Sequence, residues 1–357
     1  MFCLTKLTLF KLIFQKRLLI KLLFLFIVYS LLIYAQENNR ITIKGRVFDK
    51  ETGLPLENVN VFLSGATIGT STDKKGQFTV KNVPFGSYNI IFSYIGYKIE
   101  NKNFYSYKPE TFNFNISLSP KAINLNQVNV TGNIPEDWKE NLKIFTNIFI
   151  GETDNAKETK ILNPEVLNFV RDKKTDTFKA YADSVIKVIN KSLGYKLHII
   201  LDSLVYYPNG NINYIFFSKF EELTPKSKEE EADWENNREK TYLNSSKHFF
   251  YALVHNQLDM DYYSLREGLG EGAKIFPKDL SITSNSDSTI YTFNFMGSLS
   301  IKRYINPTSY LNFLYSFVMI DKYGNLLTSI YSVQTSGDWA KQRVADLLPE
   351  NYVYLGD

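Results

Sequence analysis

Residues 45–97 read GRVFDKETGLPLENVNVFLSG (45–65), ATIG (66–69) and TSTDKKGQFTVKNVPFGSYNIIFSYIGY (70–97). Val59, Val61 and Leu63 alternate with Asn58, Asn60 and Ser64, the period-two pattern of a half-buried strand. Phe78 and Val80 lead another strand, and Tyr88, Ile90 and Phe92 a third. Between them stand turn formers: Thr52-Gly53-Leu54-Pro55, Asp73-Lys74-Lys75-Gly76 and Val83-Pro84-Phe85-Gly86. Working outward, Ile41, Ile43 and Val47 share one face upstream. Downstream, Phe112, Phe114, Ile116 and Leu118 alternate with Asn113, Asn115 and Ser117. About seven short strands at this spacing predict a β-sandwich.

The pattern Gly45-x-Val47-x-Asp49, Thr52-Gly53-x-Pro55-Leu56, Val59-x-Val61, Thr72-Asp73-x-x-Gly76-x-Phe78 and Pro84-x-Gly86-x-Tyr88 resembles the carboxypeptidase regulatory-like domain. That resemblance covers roughly residues 41–119. It implies a transthyretin-like fold and a place among envelope proteins of Bacteroidetes-type bacteria. The shared residues are turn and core formers, so they imply a fold and no active site. Leu125 to Gly132, LNQVNVTG, resembles the segment that follows this domain in TonB-dependent outer-membrane receptors. Those receptors continue into a plug and barrel. Here no long succession of ~10-residue amphipathic strands follows.

The N-terminus predicts export. Lys6, Lys11, Lys16, Arg17 and Lys21 form a basic region before the apolar run Leu22 to Ile33, and Ala35 offers a small residue for cleavage. The run is short for a helix crossing ~30 Å of hydrocarbon; an uncleaved anchor is the other reading. Cys3 is the single cysteine and precedes the run, so a mature chain of residues 36–357 has no thiol for disulfides, metal or nucleophilic chemistry. The formal charge of +4 includes five basic residues in 1–35, so the mature chain carries −1. That leaves no electrostatic case for nucleic acid.

The remaining chain predicts an α+β domain over 134–357, joined by a linker at 120–133. Pro135 to Ile150 reads as a helix with Leu142, Phe145 and Phe149 on one face. Thr177 to Asn190 reads as a strand, and a second runs through Tyr207 to the hairpin turn Pro208-Asn209-Gly210-Asn211. Ile212 to Phe220 pairs back. Lys226 to Asp233 reads as a solvated loop and Trp234 to Leu258 as one long helix. Thr289 to Phe295, Phe313 to Ile320 and Leu326 to Val333 read as strands, with a turn at Asp321 to Asn325 and a short helix near Trp339 to Leu347. The whole is mainly β with α+β character: a seven-stranded transthyretin-like sandwich, then an antiparallel α+β domain. This part resembles uncharacterised proteins that join the regulatory-like domain to such a module, through stretches such as Asn190-x-x-Leu193-Gly194-Tyr195 and Trp234-x-x-Asn237-Arg238-x-x-x-Tyr242. It implies no mechanism.

Catalytic signatures are missing. None of His198, His248 and His255 has Glu three residues on, where Leu201, Tyr251 and Leu258 stand, so the carboxypeptidase zinc pair is missing. His248 and His255 would lie about 10.5 Å apart along a helix, too far for one ion. There is no Gly-x-Ser-x-Gly elbow. Gly268-x-Gly270-x-Gly272-x-Lys274 lacks the phosphate-loop spacing, and Asp259-x-Asp261 lacks the rest of a calcium loop. The densest set of capable side chains is Trp234, Asn237, Arg238, Tyr242 and His248. Trp234, Arg238 and Tyr242 form an i, i+4 stripe, either a partner-binding face or an Arg–aromatic stack bracing helix on sheet. The candidate partner-binding residues are therefore Trp234, Arg238, Tyr242 and His248, with no catalytic, metal or cofactor residue. The expected function is an exported, non-catalytic envelope module, periplasmic or at the outer membrane. It docks a protein or glycan partner, any membrane association coming through partners. A hydrolase of unrecognised type and an accessory subunit of an outer-membrane complex are the alternatives.

Overall fold

The computed structural model describes residues 21, 40–121, 136–172, 174–328 and 332–354. The predicted export signal, the predicted linker and the receptor-like segment Leu125 to Gly132 fall essentially outside them.

The first core is a two-sheet sandwich. Its strands are β1 (Ile41–Asp49), β2 (Asn60–Leu63), β3 (Gly69–Ser71), β4 (Gln77–Val83), β5 (Gly86–Ser93), β6 (Glu100–Ser106) and β7 (Glu110–Leu118). One sheet runs β4-β1-β7 and the other β3-β2-β5-β6. Ile43, Val47, Val61, Phe78, Ile90 and Phe92 from both sheets meet in its interior. The signature residues have mechanical roles. A Cβ on Gly45 would lie 1.8 Å from the Phe114 carbonyl oxygen, so only glycine lets β7 run parallel to β1 through this point. Asp49 Oδ1 accepts from the Glu51 and Thr52 amides and holds the first turn. The buried Thr72 hydroxyl donates to Leu56 O and accepts from Val59 N, tying down the β1–β2 connection.

The described residues after 134 gather around two cores. In the first, α1 (Glu136–Ile150) lays Phe145 and Phe149 on an antiparallel sheet. A short helix, α2 (Asp154–Lys157), precedes its strands: β8 (Thr159–Ile161), β9 (Leu167–Asp172), β10 (Thr177–Ala182), β11 (Ile186–Asn190), β12 (Tyr195–Tyr206) and β13 (Ile212–Glu222). The stretch 177–190 is thus two strands rather than one. Both pair with the long β12, and β13 covers the other edge of β12.

Two helices follow, α3 (Lys228–Leu243) and α4 (Ser246–Val254), where the sequence predicts a loop and one long helix. The acidic run opens α3. The Ser227 hydroxyl accepts from Glu230 N, Glu230 Oε2 accepts from Lys226 N, and Glu229, Glu230 and Glu231 sit at the positive end of the helix. Ser245 breaks the helix by capping α4, its hydroxyl accepting from His248 N.

The last core gathers α4 and two antiparallel sheets. They comprise β14 (Tyr263–Glu267), β15 (Lys274–Ile275), β16 (Ser281–Ser284), β17 (Ile290–Asn294), β18 (Gly297–Arg303), β19 (Ser309–Phe313), β20 (Phe317–Asp321) and β21 (Val333–Gly337). Their orders are β15-β14-β18-β19-β21 and β16-β17-β20. The strand predicted at 313–320 is two, broken at 314–316. The segment predicted as strand at 326–333 contributes only a bridge at Leu326 and the start of β21 among its described residues. The helix predicted at 339–347 is two single 3₁₀ turns, Trp339–Lys341 and Val344–Asp346. The glycine run 268–272 is the hairpin connection between β14 and β15.

The sandwich is hydrogen-bonded to the rest. Its turn at Gly65 and Ala66 lies against β13: Gly65 N donates to Ser218 O (2.7 Å) and Phe220 N to Ala66 O (2.9 Å). The C-terminal segment closes over it, with Glu350 N on Gly65 O (2.6 Å) and the Asn351 side chain paired to Thr67.

Candidate functional site

The i, i+4 stripe on α3 clamps one turn of the sheet. Trp234 Nε1 donates to Lys191 O (2.8 Å), Asn237 Nδ2 to Ser192 O (3.0 Å) and Arg238 Nε to Leu193 O (2.8 Å). Three successive carbonyls of the β11–β12 connection are thereby satisfied by one helix face. The Arg238 guanidinium lies 4.1 Å over the Tyr195 ring, whose phenol is pushed up to about 12 by burial, with Arg238 opposing. Gly194 meets the indole so closely that a Cβ there would stand 2.3 Å from Trp234. Trp234 and Arg238 therefore brace the helix on the sheet.

His248 lies elsewhere. It is 1% exposed, its Nδ1 hydrogen-bonds the Tyr263 hydroxyl (2.8 Å), and its ring meets Tyr242 edge-on. Burial, reinforced by the Arg303 charge, lowers it to about 4. The imidazole is thus neutral at pH 7, and its 3.7 Å approach to Asp261 is no ion pair. His198 pairs with Glu221 across two strands, and His255 Nε2 meets the Lys322 carbonyl. Among the described residues no three His, Asp or Glu side chains gather as a metal site.

Tyr242 reaches a place where the sandwich, the last core and the C-terminal segment meet around open space. This cleft of about 600 Å³ falls in the usual range for ligand sites, roughly 300–1,000 Å³. Six tyrosines line it: Tyr88, Tyr242, Tyr251, Tyr323, Tyr352 and Tyr354. Tyr88 and Tyr242 are each 7% exposed and lie deep, whereas Tyr323 stands at the rim. Burial raises the phenols of Tyr88 and Tyr352, so both are neutral hydroxyls at pH 7. Arg40, Lys247 and Lys322 supply positive charge, and Lys247 is held by Glu350 at 2.8 Å. Beneath the rim, buried Asp321 accepts from the Tyr323 and Asn325 amides and fixes the turn that carries Tyr323. The Tyr107 hydroxyl of the sandwich reaches the same carboxylate (3.5 Å). A second cleft, about 570 Å³, lies beyond the same C-terminal segment and includes Arg238 with Glu235 and Glu239.

Of the four candidates, then, Tyr242 and Arg238 line clefts, one each side of residues 351–354, while Trp234 and His248 are packed. Tyr88, Tyr251, Tyr323, Tyr352 and Tyr354 were missed. They come from four separate stretches of the chain, and no local spacing links them.

Residues 43–130 match the CarboxypepD_reg-like domain family. No curated protein matches the chain. Solved structures with partial likeness include a type II cohesin–X-dockerin complex from Acetivibrio cellulolyticus, at 22% identity over 22% of this chain and 55% of that one, TM-score 0.19. Klebsiella pneumoniae 5-hydroxyisourate hydrolase matches at 20% identity over 22% of this chain and 90% of that one, TM-score 0.20. A Bacteroides uniformis protein provisionally described as carbohydrate binding aligns at 8% identity over 79% and 98%, TM-score 0.19. At such scores these likenesses carry no functional argument. The match at residues 43–130 is to the CarboxypepD_reg-like domain, and its described part forms the two-sheet sandwich.

Proposed function

We propose that this chain is an exported, non-catalytic protein of the cell envelope, periplasmic or at the outer membrane, that binds a protein or glycan partner. The observation that carries this reading is the tyrosine-lined cleft at the three-way junction. Aromatic side chains with a polar tip supply much contact area at low entropic cost, as recognition surfaces require. The junction hydrogen bonds hold its walls in place before any ligand arrives. The basic, apolar and small-residue order of residues 1–35 supports export.

A hydrolase would need an accessible histidine or equivalent base beside its substrate. His248 is sealed in the last core and lines neither cleft. The exposed His255 does line the junction cleft, where its ring packs on Tyr251 and its Nε2 donates to the Lys322 carbonyl, a bracing arrangement that favours the binding reading. The test is recovery of tagged mature protein from crosslinked, fractionated cells, compared with a Tyr251→Ala, Tyr323→Ala variant. Export to the envelope and a partner recovered by the native protein alone support the proposal. Cytoplasmic retention, or equal recovery by the variant, refutes it.

A further inference from the structure

We propose that the junction cleft takes an anionic oligosaccharide, a chain bearing uronate or sulfate groups. This rests on the binding role proposed above and names the ligand class of the same cleft. Two features of the lining set the chemistry.

The first is the kind of apolar surface. Among the described lining residues the aliphatic side chains are Pro84 and Val353, and the rest of the apolar surface is aromatic. A peptide anchored by Leu, Ile or Val side chains wants aliphatic pockets at alternate positions. A pyranose ring instead presents a flat face of C–H groups, which lies on an aromatic ring. Its hydroxyls exchange hydrogen bonds with phenols and amides. Phe85, Tyr251, Tyr323 and Tyr352 offer partly exposed rings, and the Asn325 side chain, its Nδ2 held by Asp321, lines the cleft beside them.

The second is charge. Three formal cations, Arg40, Lys247 and Lys322, stand against one carboxylate, Glu350. Glu350 already holds Lys247. Arg40 and Lys322 therefore leave a net positive field in a cleft with low-dielectric aromatic walls, which focuses it on an anionic ligand. Lys322 lies 5.1 Å over the Tyr323 ring, so one residue pair presents both a stacking face and a cation.

The test titrates the mature protein with hexagalacturonate, a heparan sulfate hexasaccharide, neutral cellohexaose and hexaglutamate, by calorimetry at 50 and 300 mM salt. We expect an acidic sugar to bind at least tenfold more tightly than cellohexaose and hexaglutamate, with affinity falling as salt rises. The paired substitutions Arg40→Ala, at an exposed site, and Lys322→Ala, at a half-buried one, should weaken it about tenfold and remove the salt dependence. Tyr323→Ala should weaken it while keeping that dependence. Equal or tighter binding of cellohexaose overturns the charge argument, and of hexaglutamate the sugar argument. Binding of no acidic sugar, by a protein that still recovers a partner from envelopes, overturns this inference and leaves the binding role standing.

Discussion

Replacing Gly194 by alanine should loosen the clamp that holds α3 on its sheet. Two costs are readable at this position. The backbone sits at φ +69°, where a side chain costs about 1–2 kcal/mol. The new Cβ would also stand 2.3 Å from Trp234 Cδ2 and Cε3. The indole has nowhere to withdraw: it is 7% exposed and its Nε1 is bonded to Lys191 O. Overpacking of this kind costs roughly 1–3 kcal/mol, so the total loss should be about 2–5 kcal/mol. Gly210 supplies the control. It has φ +85° and nothing within 4 Å of its notional Cβ, so Gly210→Ala should carry only the backbone cost, about 1–2 kcal/mol. Urea unfolding followed by tryptophan fluorescence compares them. If the two variants lose the same stability, the Trp234–Gly194 contact does not brace the helix, and the structural reading of the α3 stripe is wrong.

Other outcomes follow from the same packing. His248 falls from 6.5 in the unfolded chain to about 4 when folded, so the unfolded state takes up the proton first as pH drops. Stability should fall between about pH 6.5 and 4 by about 3 kcal/mol, and His248→Phe should flatten that window in denaturant titrations. Asn190 is 1% exposed, donates to Ala345 O and accepts from Leu193 N. Asn190→Ala strands both backbone groups and should cost about 2–4 kcal/mol by thermal unfolding. Residues 36–121 alone should fold cooperatively on their own core, checked by circular dichroism and amide dispersion; a non-cooperative melt would show that the sandwich needs the junction.

The sandwich was legible because its signals are local. The turn residues at 52–55 and 73–76 and the alternation at 59–63 each act within a few positions, and the strands follow. The α3 start was equally local, since Ser227 to Glu230 is a capping signature, but charge density outweighed it. The helix break at Ser245 interrupts an apolar pattern that continues through it, so periodicity alone runs the two helices together. Among site residues, Trp234, Arg238 and Tyr242 were found through their i, i+4 spacing, which marks a shared face without showing what it meets. The face meets carbonyls of the chain itself. The junction tyrosines carry no such spacing, because tertiary packing alone brings 88, 251, 323 and 352 together.

The central claim is that the junction cleft is where this protein meets its partner. Hydrogen–deuterium exchange of the mature protein, with and without a solubilised envelope fraction, tests it most directly. Protection should concentrate in peptides covering 84–88, 247–255, 322–325 and 349–354. Protection confined to the outer sandwich face around Lys44 and Arg46, with those peptides unchanged, would contradict it.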